Sequence, residues 1–307
     1  MRTTTAEEWR RLRRFARRLD PVEPRPPVPP ALPDGRVVAV PGRGEVFVRE
    51  TSGPTGSDVP IVLLHGWTAS ADTNWFQVYD TVAALGPVIA VDHRGHGRGL
   101  RSEERFTLEA AADDVAGLLR HLGLGPAVLV GYSMGGPIAM LTWRRHPDVV
   151  AGLVFQATAL EWRASLRERL IWRFMAIVEY ALRLGAPRGL LERYLRDAIE
   201  DCPELEPYRG WLKGEMRRGD PEAIADAGRA LGRYDARPYA GQVALPAAVV
   251  VTTRDRLVRP RKQRALARAL PGAEVIEVRA DHDLCLVVPH EFRAVTEKAI
   301  RLVIDRL

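Results

Sequence analysis

Residues 127–140, AVLVGYSMGGPIAM, constrain the fold more than any other stretch of the chain. Residues 127–130 form an apolar run of strand length, and Pro137, Ile138, Ala139 and Met140 open a helical pattern. Only Gly131, Tyr132, Ser133, Met134 and Gly135 separate the two. A strand that becomes a helix within so few residues needs a sharp, strained turn. Glycines two residues to either side of Ser133 leave no side chain where the strand and helix backbones nearly touch. The serine hydroxyl is then held out above the sheet, and the Met134 N–H points into the same space at the head of the helix. Its partial positive charge suits an oxyanion growing beside the serine. The plainer alternative is a glycine-rich turn carrying an ordinary exposed serine, and the strand before and helix after weigh against it.

The flanking sequence extends the same alternation. Residues 37–40 and 45–49 read as two strands joined by the Pro41-Gly42-Arg43-Gly44 turn, an antiparallel hairpin. Apolar strands follow at 61–64 and 88–91, a helix at 107–122, and a strand at 149–155. After a long interval come a strand at 247–252, a helix at 261–270, a strand at 275–278 and a last helix at 290–307. Strands alternating with helices imply parallel pairing through right-handed crossovers. The expected fold is α/β: a mostly parallel, open twisted sheet of about eight strands with helices on both faces. Residues 158–236 offer no convincing strand but several helical patterns, the longest at 166–184, broken at Gly185-Ala186-Pro187, Cys202-Pro203 and Gly219-Asp220-Pro221. They are expected to form an all-helical cap over the edge where open α/β sheets bind ligands. The core domain is then 37–157 with 237–307.

Residues 1–36 stand apart. Trp9, Leu12, Phe15, Ala16 and Leu19 recur at helical spacing among arginines, and a proline-rich spacer runs from Pro21 to Pro33. There is no continuous apolar run of the kind a signal peptide or anchor needs. The helix is expected to pack on the parent domain or on a second subunit, making a dimer contact; a weak membrane-surface contact with anionic lipid is the lesser reading. The net charge of +6 comes with acidic residues interspersed, and all but three of the 45 basic residues are arginines. Without a recognition motif this balance does not point to nucleic acid. Two cysteines, Cys202 and Cys285, make neither a disulfide framework nor a metal pattern, and a cytoplasmic location is expected.

A serine at neutral pH is a weak nucleophile and needs a base oriented by a carboxylate. Asp255 follows the strand 247–252 and His282 follows the strand 275–278, so both fall on strand-end loops at the edge that carries Ser133. With these residues, five segments resemble the α/β-hydrolase superfamily in order and spacing: His65-Gly66-Trp67-Thr68, Asp92-His93-Arg94-Gly95-His96-Gly97, the Ser133 turn, the loop 252–258 and Ala280-Asp281-His282-Asp283. The resemblance spans about 37–307. It implies Ser133 as nucleophile, His282 as general base and then acid, and Asp255 as the carboxylate that fixes the histidine tautomer. It also implies an oxyanion hole formed by the backbone N–H groups of Met134 and Trp67. Asp281 stands where a glycine is usual, which bears on the shape of that loop.

A serine at the turn, rather than an aspartate, excludes the alkyl-enzyme ester route of dehalogenases and epoxide hydrolases and implies acyl transfer. The expected reaction is hydrolysis of small, apolar carboxylic esters through an acyl-serine, esterase- or lipase-like, with no cofactor and no metal, and activity rising through about pH 6 to 8. Thioesterase, lactonase, C–C bond hydrolase or perhydrolase chemistry on the same triad remains open, as does a ligand receptor with little turnover. Other candidates are read structurally. Asp281 and Asp283 are expected to bond within their loop, Asp92, His93 and His96 to shape a turn rather than ligate metal, and His65 to hold the oxyanion loop. His121, His146 and His290 fall at helix ends, where imidazolium is favourable. Trp162, Trp172, Phe174 and Tyr180 are expected to pack the cap.

Overall fold

The computed structural model describes residues 27–56, 59–162 and 197–307. The N-terminal helix expected over 1–20, the helical stretch 166–184 with Trp172, Phe174 and Tyr180, and the break at Gly185 lie outside the described residues. One eight-stranded sheet runs in the order β1-β2-β4-β3-β5-β6-β7-β8. Its strands are β1 (Asp34–Val40), β2 (Gly44–Thr51), β3 (Ile61–Leu64), β4 (Val88–Val91), β5 (Ala127–Tyr132), β6 (Val150–Gln156), β7 (Ala247–Thr252) and β8 (Glu274–Val278). β1 pairs antiparallel with β2, and β2 with β4; every other pair is parallel. The first strand therefore starts at Asp34, earlier than the 37 expected for it, because the hairpin register runs out to Asp34 opposite Glu50 and Arg36 forks onto the Glu50 carboxylate.

The inner strands are apolar throughout because both of their faces are covered. Successive side chains alternate: Val62, Leu64, Ile89, Val91 and Leu129 enter one apolar cluster, while Ile61, Leu63, Val88, Ala90, Val128 and Val130 enter the other. Helices α3 (Leu108–His121) and α4 (Gly135–Arg145) seal the first face. Thr107 caps α3 by accepting from the Ala110 N–H, and Arg120 in its last turn closes it with positive charge. On the second face lie α1 (Ala71–Trp75) and α2 (Tyr79–Ala83). These two helices are too short for a periodic signal, although Ser70 and Thr73 form a capping box that marks the first.

Between β6 and β7 the described residues contain helices but no strand beyond a single bridge of Glu161 with Asp235. A 3-10 turn at Pro203–Tyr208 leads into α5 (Arg209–Glu215), and Asp220 caps α6 (Pro221–Leu231). Ion pairs tie this insertion to the core. Arg98 reaches Asp72 in α1 at 3.1 Å and forks onto the buried Glu215 at 2.6 and 2.8 Å, while Arg49 of β2 holds both oxygens of Asp72. Arg218 also pairs with Glu215 at 2.8 Å, so each of the two carboxylates that Arg98 joins has a second arginine of its own. After β7 the chain forms α7 (Pro260–Ala269), β8, α8 (Leu284–Val287) and α9 (Pro289–Ile304).

Candidate active site

All six parallel strands end on one edge, and the strand order reverses between β3 and β5, so a crevice opens where their C-terminal loops diverge. Ser133 follows β5 there, with φ +51°, a left-handed conformation that costs a non-glycine residue of order 1 kcal/mol or more. The surroundings hold it in place: the Ser133 N–H donates to the Gln156 carbonyl of β6, and the Ser133 carbonyl accepts from the Gly136 N–H. Glycine is obligatory at both sides of the turn. A Cβ on Gly135 would lie 2.0 Å from the Leu64 carbonyl oxygen, and one on Gly131 would lie 2.4 Å from that of Gly135. α4 begins at Gly135, two residues before the expected Pro137, with Met134 at its N-cap. Pro137 falls in the first turn, where its missing N–H leaves nothing unsatisfied.

Three residues distant in sequence meet at this edge. His282 Nε2 lies 3.0 Å from Ser133 Oγ, and His282 Nδ1 lies 2.8 Å from Asp255 Oδ2. With a carboxylate as the acceptor at Nδ1, the ring proton sits on Nδ1 and the Nε2 lone pair faces the serine hydroxyl. Asp255 is buried and its acceptor positions are filled: Oδ1 accepts from the N–H groups of Leu257 and Val258, and Oδ2 from Thr252 Oγ1 and Gln263 Nε2 as well as from the imidazole. Gln263 also accepts from the Thr252 N–H through Oε1, which clasps the end of β7 to α7.

The histidine loop is held from both sides. Tyr132, next to the serine, donates its hydroxyl to the His282 carbonyl at 2.7 Å, and its ring packs edge-on against His282, Trp75 and Phe292. The Asp281 carboxylate accepts from the His282 and Arg256 N–H groups and pairs with the Arg256 guanidinium. Partial burial works against that carboxylate, yet these donors keep its pKa below the usual aspartate range. The aspartate at 281 thus pins the histidine loop to the Asp255 loop. Asp283 precedes α8 without capping it through its side chain, and burial raises its pKa.

The loop after β3 forms the opposite wall. Gly66 abuts Ser133, since a Cβ there would lie 3.3 Å from Ser133 Cβ. Side chains hold both of its backbone groups: Asn74 Oδ1 accepts from the Gly66 N–H at 2.9 Å, and His65 Nδ1 donates to the Gly66 carbonyl at 2.7 Å. His65 Nε2 accepts from the His93 N–H, which fixes the tautomer. Burial pushes the His65 pKa well below its ordinary value, with His93 and His96 adding to the effect, so the ring works as a neutral donor. Asp92 accepts from the N–H groups of Ala71 and Arg98, one on each oxygen, a structural role matching the expectation for that loop. Among the described residues no group of three or more His, Cys, Asp or Glu side chains is arranged to hold a metal ion.

A family model described as alpha/beta hydrolase fold matches residues 59–189. The chain is 33% identical over 224 residues to a pimeloyl-[acyl-carrier protein] methyl ester esterase of Chromobacterium violaceum, covering 72% of this chain and 86% of that one. The chain belongs to the alpha/beta hydrolase family. A second member, the 2-(acetamidomethylene)succinate hydrolase of Mesorhizobium japonicum, is 29% identical over 86% of this chain and 93% of its own. Among solved structures, a thermophilic esterase from Thermogutta terrifontis superposes with a TM-score of 0.72 at 25% identity, over 88% of this chain and 99% of that one.

In this alpha/beta hydrolase the residues that sequence reasoning did not single out are supports for Asp255, His282 and the loop after β3. Gln263 and Thr252 orient Asp255, Tyr132 anchors the His282 loop, and Asn74 holds Gly66. Only Gln263 left a trace in the sequence, as an amide on the buried stripe of an amphipathic helix. Among the helix-end histidines, His121 and His146 close α3 and α4, and His146 bonds to Asp113 at 2.8 Å. His290 corrects the expectation: it lies in the first turn of α9, where the helix dipole disfavours a cation.

Proposed function

We propose that Ser133, His282 and Asp255 hydrolyse carboxylic esters through an acyl-serine intermediate, with the backbone N–H groups of Met134 and Trp67 as the oxyanion hole. The enzyme is an ester hydrolase of the esterase type. The observation that carries the residue assignment is the unbroken line from Ser133 Oγ through the His282 ring to Asp255. His282 Nε2 takes the serine proton as Oγ attacks the ester carbonyl, and Asp255 stabilises the imidazolium that forms. The negative charge developing on the carbonyl oxygen meets the Met134 N–H at the head of α4 and the Trp67 N–H across the crevice. His282 then returns the proton to the departing alkoxide, leaving acyl-Ser133. Water deprotonated by the same ring releases the acid and restores the hydroxyl. No step draws on a metal or cofactor.

The segment 158–236 acts in this reading as a cap. Its support is the attachment of its described parts beside the crevice: α6 meets Trp67, α5 holds Arg98 through Glu215, and Trp162 is buried in the core cluster. A largely apolar cap favours small, apolar acyl or alkoxy groups. No described helix is long and apolar enough to cross a membrane. A cytoplasmic location, supported by free thiols at Cys202 and Cys285, completes the proposal. The N-terminal segment is read as a packing or dimer contact. Deleting residues 1–20 should then lower stability or dissociate a dimer, whereas a lipid-binding helix would instead lose vesicle binding.

The test is a chain-length panel of ester, thioester and lactone substrates on the wild type and Ser133→Ala, with fluorophosphonate labelling as the covalent readout. Ester turnover falling on the order of 10⁶-fold in Ser133→Ala, together with lost labelling, is the expected result. Preferred turnover of thioesters or lactones would redirect the substrate class. Tight binding without turnover across the panel would favour a receptor.

A further inference from the structure

We infer that the Trp67 side chain is a positioning device that couples helix α6 of the insertion to the oxyanion-hole peptide. The inference rests on the reading above in which the Trp67 N–H faces the developing oxyanion.

The Gly66 carbonyl and the Trp67 N–H belong to one planar trans peptide and point in opposite directions. The His65 imidazole grips the carbonyl end at 2.7 Å and the Ala69 N–H reaches it at 3.4 Å, so the peptide is fixed from the core side. A second handle on this peptide is the Trp67 side chain. Its Nε1–H donates to the Ile224 carbonyl at 2.7 Å, across 157 positions of sequence, from the loop after β3 to the interior of α6.

One turn along α6, Gly228 makes the contact possible. A Cβ there would lie 2.8 Å from Trp67 Cζ2 and 3.3 Å from Cε2 and Cη2, so the indole lies where a side chain would otherwise stand. Glycine weakens a helix interior relative to alanine, and its place in the middle of this short helix matches the need for the indole. α6 is in turn moored at its start: the Asp220 N–H donates to the Gly95 carbonyl at 2.7 Å, and Arg101 reaches the Arg218 carbonyl at 2.8 Å. The insertion, the loop after β4 and the oxyanion loop thus form one mechanical unit. A shift of α6 moves the indole and, through the Trp67 Cα, rotates the N–H that stabilises the transition state. Because that donor acts mainly on the transition state, loosening the link should lower kcat and leave KM nearly unchanged.

Two variants test this. Trp67→Phe keeps an aromatic ring but removes the Nε1–H donor. Gly228→Ala adds a methyl group against the indole while improving helix propensity. The expected result is a kcat at least 10-fold lower in each, KM within about twofold of wild type, and a circular-dichroism melting curve for Gly228→Ala no lower than wild type. Gly228→Ala decides the matter if Trp67→Phe does not fold. A kcat within twofold of wild type, or a fall in kcat that only tracks a fall in folded fraction, overturns the inference. A structure of the phosphonylated Ser133 enzyme separates the two readings. A phosphoryl oxygen away from the Trp67 N–H defeats the oxyanion assignment itself, whereas an oxygen bonded there with kcat unchanged in both variants defeats only the coupling.

Discussion

Acid should unfold this protein through three buried imidazoles, and His96→Asn should measure the share of one. His65, His93 and His96 are essentially inaccessible, with ring centroids of His65 and His93 4.3 Å apart and of His65 and His96 5.5 Å apart. Burial is the main cause that holds the His93 pKa at about 3 and the His96 pKa at about 4. Around His96, the Arg94 carbonyl and Asp220 favour its charged form and Arg101 opposes it. A free imidazole titrates near 6.5. With folded values depressed, the rings contribute fully above about pH 6.5, and that stability is lost as pH falls toward the folded values. Asp92 works in the opposite direction: burial raises it to about 6, so its contribution grows as pH falls from about 6 toward the ordinary carboxylate range.

Between pH 6 and 4 the unfolded chain therefore binds about two more protons at these four groups than the folded one, a loss of about 3 kcal/mol per pH unit. That is large against a total stability of about 5–15 kcal/mol. His96 alone accounts for about 3 kcal/mol between pH 7 and 4. The assay is urea unfolding at half-unit steps over that range. His96→Asn should start less stable at pH 7, since it leaves a void beside Phe106, but its stability should fall less steeply, by about 1.4 kcal/mol per pH unit below pH 6. Parallel stability curves for wild type and variant would refute a neutral, buried His96.

Asp255→Asn should keep the fold but lower kcat by about 10⁴-fold, because an amide cannot hold the Nδ1–H tautomer of His282; a loss under tenfold in steady-state ester hydrolysis would contradict its role. Gly135→Ala should abolish activity and lower stability by several kcal/mol, since its methyl group would collide with the Leu64 carbonyl oxygen; denaturant unfolding alongside ester turnover checks both. Tyr132→Phe should remove one hydrogen bond to the His282 loop, costing about 1 kcal/mol in stability and lowering kcat more than it raises KM, and an unchanged kcat would show that packing alone holds the loop.

Much of this was legible in the chain because its signals are local. The apolar runs that become β3 to β7 are buried on both faces and carry their own punctuation, and the Gly131 to Gly135 turn announces a strand giving way to a helix. Asp255 and His282 could be placed at the site because parallel strands deliver their ends to a common edge, whatever the distances along the chain. The shorter elements escaped: α1 and α2 have too few turns for periodicity, and β1 starts at Asp34 because its polar outer residues are held by register with β2 rather than by an apolar pattern.

The sequence by itself determined the parallel sheet, the serine turn and the residue types that converge on it, because backbone geometry and alternating burial act over a few neighbours. Tertiary structure alone decided what holds those residues in place. Gln263 on Asp255, Tyr132 on the His282 carbonyl, Asn74 on Gly66 and the Trp67 indole on α6 are contacts between elements far apart in sequence. A hydrogen bond of that kind depends on where two separate backbones stand, and only packing the whole core brings them within reach of each other.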